Sequence, residues 1–69
     1  MKFEFVNDTG RKVGIHPATL ENGVKVNTTP IEPLEIREFI LPDGTYPWMK
    51  LWDYGERGLS ILISPQKDE

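Results

Sequence analysis

Tyr46-Pro47-Trp48-Met49-Lys50-Leu51-Trp52-Asp53, Tyr54-Gly55-Glu56-Arg57-Gly58, Leu59-Ser60-Ile61-Leu62-Ile63-Ser64: two runs of aromatic and branched side chains flank a glycine-containing connection. Strand side chains alternate between the two faces of a sheet. A hairpin with the loop Tyr54–Gly58 therefore pairs Asp53 with Leu59, Leu51 with Ile61 and Met49 with Ile63. Trp52 then lies beside Ser60, and Trp48 beside Ser64. One face of this hairpin is aliphatic and is the expected core. The other carries Tyr46, Trp48, Lys50, Trp52 and Tyr54 as an aromatic row.

Working outward, Leu41-Pro42-Asp43-Gly44-Thr45 has the chemistry of a tight turn, because proline presets one φ and glycine accepts a positive one. With Gly44 left-handed in a three-residue loop, Leu34–Leu41 pairs against Tyr46–Asp53. Ile40 then faces Tyr46, Glu38 faces Trp48, Ile36 faces Lys50 and Leu34 faces Trp52, with Glu38 diagonal to Lys50. The same register puts Glu35 and Arg37 on the aliphatic side with Phe39 and Leu41. A bulge near Arg37–Glu38, or a two-residue slip, removes that conflict. A one-residue change turns the whole aromatic row inward.

Farther out, Lys2–Val6 reads as a first strand with Phe3 and Phe5 on one face. Asn7-Asp8-Thr9-Gly10 is a turn, Arg11–His16 a returning strand, and Pro17 its end. Asn22-Gly23 is the strongest short hairpin signal in the chain, joining Ala18–Glu21 to Val24–Thr28. Pro30 and Pro33 bracket an irregular crossing. No window has apolar residues at helical spacing. The expectation is an all-β domain: a small antiparallel meander of about six short strands closing into a barrel or sandwich. It spans residues 1–64, with 65–69 a polar C-terminal tail.

A chain of 69 residues supports one core. With no cysteine and one histidine, neither a disulfide nor a zinc site is expected to staple it, which leaves self-association. The lack of cysteine fits a reducing, cytoplasmic setting. No run suits a signal peptide, and none approaches the roughly 20 apolar residues of a membrane span. The net charge is −3, with eight basic residues scattered among eleven acids, which argues against nucleic acid as a partner.

The row Tyr46, Trp48, Lys50, Trp52 and Tyr54 is the candidate binding site. Large apolar side chains are usually at least partly buried, which weighs toward Trp48 and Trp52 as pieces of the core. Otherwise the row is a binding face or a homo-oligomer interface. His16 lacks a nucleophile and an orienting carboxylate, so it reads as a strand end. Scattered acids suggest no cleft for glycoside chemistry. Asn7-Asp8-Thr9-Gly10 lacks the acid spacing of a calcium loop, and Gly55-Glu56-Arg57-Gly58 reads as a solvated turn. We expect no enzyme, no metal and no cofactor. The expected function is a protein-interaction module that uses the Tyr46–Tyr54 face or a sheet edge to hold a protein partner or a second copy. A carbohydrate- or small-ligand-binding module using the same aromatics is the alternative.

Overall fold

In chain order the elements are β1 (Lys2–Val6), β2 (Val13–Ile15), a single helical turn α1 (Ala18–Glu21), β3 (Ile36–Ile40), β4 (Thr45–Asp53), a 3-10 turn (Gly55–Arg57) and β5 (Leu59–Lys67). The computed structural model describes residues 1–67. The fold is all-β, with five strands in two sheets: β1 with β3, and β2–β5–β4 in that order. Among the described residues the strands do not close into a barrel.

The β4–β5 hairpin has the register its alternation dictates. Asp53 faces Leu59, Leu51 faces Ile61, Met49 faces Ile63, Trp52 faces Ser60 and Trp48 faces Ser64. The Tyr54 N–H donates to the Gly58 carbonyl at 2.9 Å and closes the loop. β5 continues past Ser64 to Lys67, with Pro65 opposite Pro47 and Lys67 opposite Thr45. The start of the expected tail is thus strand, while Asp68 and Glu69 lie outside the described residues.

The expected meander is overturned elsewhere. β3 pairs antiparallel with β1, setting Phe3 opposite Phe39 and Phe5 opposite Arg37. The juxtapositions expected between Leu34–Leu41 and Tyr46–Asp53 therefore do not form. Glu38 instead faces Glu4 and lies 3.8 Å from the Lys2 ammonium. The Pro42-Asp43-Gly44 turn is present, with Gly44 at φ 76°. It carries the chain from one sheet to the other rather than closing a hairpin. The strand is shorter than expected because Leu34 adopts φ 67°, a left-handed conformation that ends regular pairing.

Arg37 needs no bulge to resolve its conflict. It is 8% exposed, and its guanidinium donates to Glu35 Oε2 at 2.7 Å and to the carbonyls of Asn27, Thr29 and Pro30 at 2.5, 2.7 and 3.3 Å. A buried cation persists only when its donors are met, and here one side chain stitches the irregular crossing to β3. The Glu32 N–H and then the Arg37 side chain hold the Glu35 carboxyl below its ordinary range.

β2 does not return along β1. It runs parallel to β5, with Val13 beside Leu59 and Ile15 beside Ile61. Asn7 supplies the reason. Its buried amide donates to the carbonyls of Arg11, Ile31 and Glu32 at 2.8, 2.9 and 3.1 Å, and its Oδ1 accepts from the Thr9 hydroxyl at 2.6 Å. The turn is thereby tied to the crossing and redirected into the other sheet.

Ala18–Glu21 is helical, and Asn22-Gly23 is not a hairpin turn. Pro17 sits at φ −54°, ψ −31°, a conformation its ring presets for a first helical turn. Asn22 stays at φ −81°, and Gly23 alone is positive, at φ 92°. A type I′ turn needs both residues positive, whereas a single left-handed glycine is how helices stop. Val24–Thr28 is consequently no strand, and Lys25 makes one bridge, to Ile40.

The core lies where the sheets meet. Val13 of β2, Phe39 of β3 and Ile61 and Ile63 of β5 are fully buried, with Val24, Ile31 and Leu41 closing around them. Burying each such side chain contributes about 1.5–3 kcal/mol.

Candidate functional site

β4 differs from every other strand in what it leaves uncovered. Its alternate residues Tyr46, Trp48, Lys50 and Trp52 share the face turned away from Ile61 and Ile63, as the sequence expectation had it. Trp48 is 48% exposed, so it is not the piece of core that its size argued for, and Tyr46 and Tyr54 are open to a similar degree. Tyr54 lies just beyond the end of the strand.

Trp52 is committed within the fold. The His16 ring stacks on it at 5.2 Å and 28°, and the Lys50 ammonium sits 4.8 Å from its ring centroid. His16 Nδ1 accepts the Ala18 N–H at 3.1 Å. His16 therefore joins the start of α1 to the aromatic face, and no carboxylate is among its hydrogen-bond partners here.

The aliphatic face holds a surprise. Met49 and Leu51, expected as core, are 48% and 42% exposed although their cross-strand partners Ile63 and Ile61 are fully buried. The reason is lateral position, because β4 is the last strand of its sheet.

The edge itself can be read from its prolines. Residues of an antiparallel pair alternate between exchanging two main-chain hydrogen bonds and exchanging none. Pro47 faces Pro65, and neither has an N–H to give, so that pair exchanges none. Tyr46, Trp48, Lys50 and Trp52 accordingly bond to β5. Thr45, Met49, Leu51 and Asp53 turn their N–H and C=O groups outward, and Pro47 adds a carbonyl alone. The opposite edge of β5 confirms this parity: His16 N–H donates to Ile61 O at 2.8 Å, and Ile63 N–H donates to the buried Thr19 hydroxyl at 3.2 Å. Among the described residues, no strand pairs with the outer edge of β4.

One end of β4 is pinned. Arg11 makes a two-pronged contact with Asp53, at 3.1 and 2.9 Å, and donates to the Gly55 carbonyl at 3.1 Å. The Arg11 hydrogen bond, followed by the Gly55 N–H, holds the Asp53 carboxyl below its ordinary range. An open depression of about 350 Å³ lies elsewhere, lined by Gly23, Lys25, Ile40, Leu41, Pro42 and Asp43. None of the aromatic row lines it.

Among the described residues no three His, Asp or Glu side chains converge as metal ligands, and no helix is long and apolar enough to cross a membrane. No protein-family model matches the chain, and comparisons with curated proteins and with solved structures return no match.

The structure therefore brings Tyr46, Trp48 and Lys50 together on one open face, diverts Trp52 into an internal stack and leaves Tyr54 beside the loop. The sequence offered a sheet edge as a binding element without saying which, and it marked Met49 and Leu51 as core rather than as part of an open edge. Pro47 was the available signal, since proline inside a strand marks an edge.

Proposed function

We propose that this chain is a non-catalytic protein-interaction module, working through β4. The observation that carries the proposal is a combination found, among the described residues, on that strand alone: an unpaired edge with half-exposed large apolar side chains on both faces. Natural proteins blunt such edges with charge, proline or a covering element, because an open one templates pairing with another chain. Here Pro47 interrupts one end and Lys50 is drawn onto Trp52, so Met49–Asp53 stays open. A partner that adds an extended segment gains main-chain hydrogen bonds from this edge and side-chain contacts on both faces. We read the two sheets as layers of an open sandwich, and the cysteine-free composition as suited to the cytoplasm.

One observation supports a second reading, carbohydrate binding. Tyr46 and Trp48 lie beside Gln66 and Ser64, and Gln66 Nε2 donates to Ser64 Oγ at 3.0 Å. Rings bordered by amide and hydroxyl groups can stack on a sugar and hydrogen-bond its rim.

A photo-crosslinking residue placed at Tyr46 or Leu51 in cells tests the proposal, with Glu21 on α1 as the control. Protein adducts from both β4 positions and none from Glu21 are expected. Adducts no stronger than the control reject the interaction reading, and a response to a glycan panel alone selects the second.

A further inference from the structure

We infer that the occupant of the β4 edge is a second copy of the same chain, paired antiparallel through a two-fold axis at Met49; this rests on the β4 reading above. The strand is self-complementary in that register, and in no neighbouring one does it overlap along its whole length. Two antiparallel copies exchange main-chain hydrogen bonds only where outward-facing residues meet, so Thr45, Pro47, Met49, Leu51 and Asp53 must face members of the same set.

Centring on Met49 overlaps the whole strand. Met49 faces Met49 of the second copy, Leu51 faces Pro47, and Asp53 faces Thr45. Pro47 then forfeits only the bond it lacks an N–H to make, because its carbonyl accepts from the opposing Leu51 N–H. On the aromatic face Lys50 meets Trp48 and Trp52 meets Tyr46, which are cation–aromatic and aromatic–aromatic pairs. The other face brings Met49, Leu51 and Pro47 into one apolar stripe. Centring on Lys50 instead sets two like-charged residues directly opposite, a destabilising arrangement. Centring on Leu51 leaves Tyr46 and Trp48 uncovered.

The area is consistent with a reversible dimer. The half-exposed side chains of β4 hold on the order of 400 Å² per copy. With the edge main chain the total reaches about 1,000 Å², the low end of specific interfaces. The product is one continuous sheet, β2–β5–β4 joined to β4–β5–β2 of the second copy.

Sedimentation equilibrium of the intact chain from micromolar to millimolar concentration tests the pairing. The mass should rise from 7.9 kDa toward twice that value. Met49→Pro removes the central outward N–H without touching the β5 ladder and should raise the dissociation constant at least tenfold. Leu51→Lys should do the same without any change to the backbone, and circular dichroism should show both variants folded.

Because the chain has no cysteine, a single Met49→Cys substitution reports the axis. It should oxidise to a disulfide-linked dimer faster than Lys50→Cys or Leu51→Cys. A chain that stays at 7.9 kDa throughout overturns self-pairing while leaving β4 crosslinks to other proteins as the surviving reading. Mass growth that both variants leave intact places the contact on another surface and also overturns the proposal. Faster oxidation at Leu51→Cys overturns the register.

Discussion

β4 and β5 are the same length, lie side by side and belong to one hairpin, yet they live in different environments. β5 has β4 along one edge. Along the other it has β2 and then the Thr19 hydroxyl, so its inward residues Leu59, Ile61 and Ile63 are covered from both sides. β4 has a neighbour on one side only, and its residues of the same parity stay half open. Hydrophobic alternation sets the face on which a side chain points, whereas burial also depends on what lies beside the strand. An apolar residue on the core-side face of an edge strand is therefore a different object from its partner one strand inward.

The largest test of this contrast is a truncation on each strand. Ile61→Ala should lower stability by about 2–5 kcal/mol, since it opens a cavity in a closed core. Leu51→Ala, directly opposite it, should cost under about 1 kcal/mol in dilute monomer, where part of its surface already meets water. Urea midpoints measured at low protein concentration give both values, and equal losses would break the distinction.

A smaller effect probes how the far edge of β5 is closed. Thr19→Val keeps the volume but strips the Ile63 N–H of its acceptor, at a cost of about 1–3 kcal/mol. Hydrogen exchange at Ile63 should accelerate, and Thr19→Ser should restore protection. If exchange is unchanged in Thr19→Val, the hydroxyl is not what shields that edge.

The smallest effect concerns the pinned end of β4. Asp53 is depressed below its ordinary 3.8 by Arg11 and the Gly55 N–H. A carboxyl lowered on folding contributes stability that is complete above its unfolded value and fades as pH falls through the folded one. Acid titration of wild type and Arg11→Ala should therefore give parallel stability above about pH 5 and converging curves below the ordinary carboxylate value. This contact is exposed, so added salt should shrink the difference. Curves that converge as pH rises would contradict the assignment.

The hairpin could be read from the sequence because its information is local. The loop Tyr54–Gly58 and period-two alternation fix each pair from Asp53–Leu59 to Trp48–Ser64, and they place Tyr46, Trp48 and Lys50 on the outward face. Asn22-Gly23 misled because the same dipeptide serves two ends. After Pro17 and a helical turn, its glycine alone is left-handed and stops a helix. Arg37 read as a conflict because sequence shows its charge but not the carbonyls of Asn27, Thr29 and Pro30 waiting across the crossing.

By itself, then, the sequence determined the all-β class, the β4–β5 register and the composition of the two hairpin faces, since each follows from residues close along the chain. Only the tertiary structure decided that β3 joins β1, that β2 lies parallel to β5, and that Asn7 and Arg37 are buried. It also decided that β4 is left as an open edge, for which Pro47 was the one local sign. Those outcomes depend on which of several similarly patterned strands wins each neighbour, and on polar side chains whose partners lie many residues away. Local pattern carries no record of that competition, because period-two alternation looks the same in a central strand and in one at the edge.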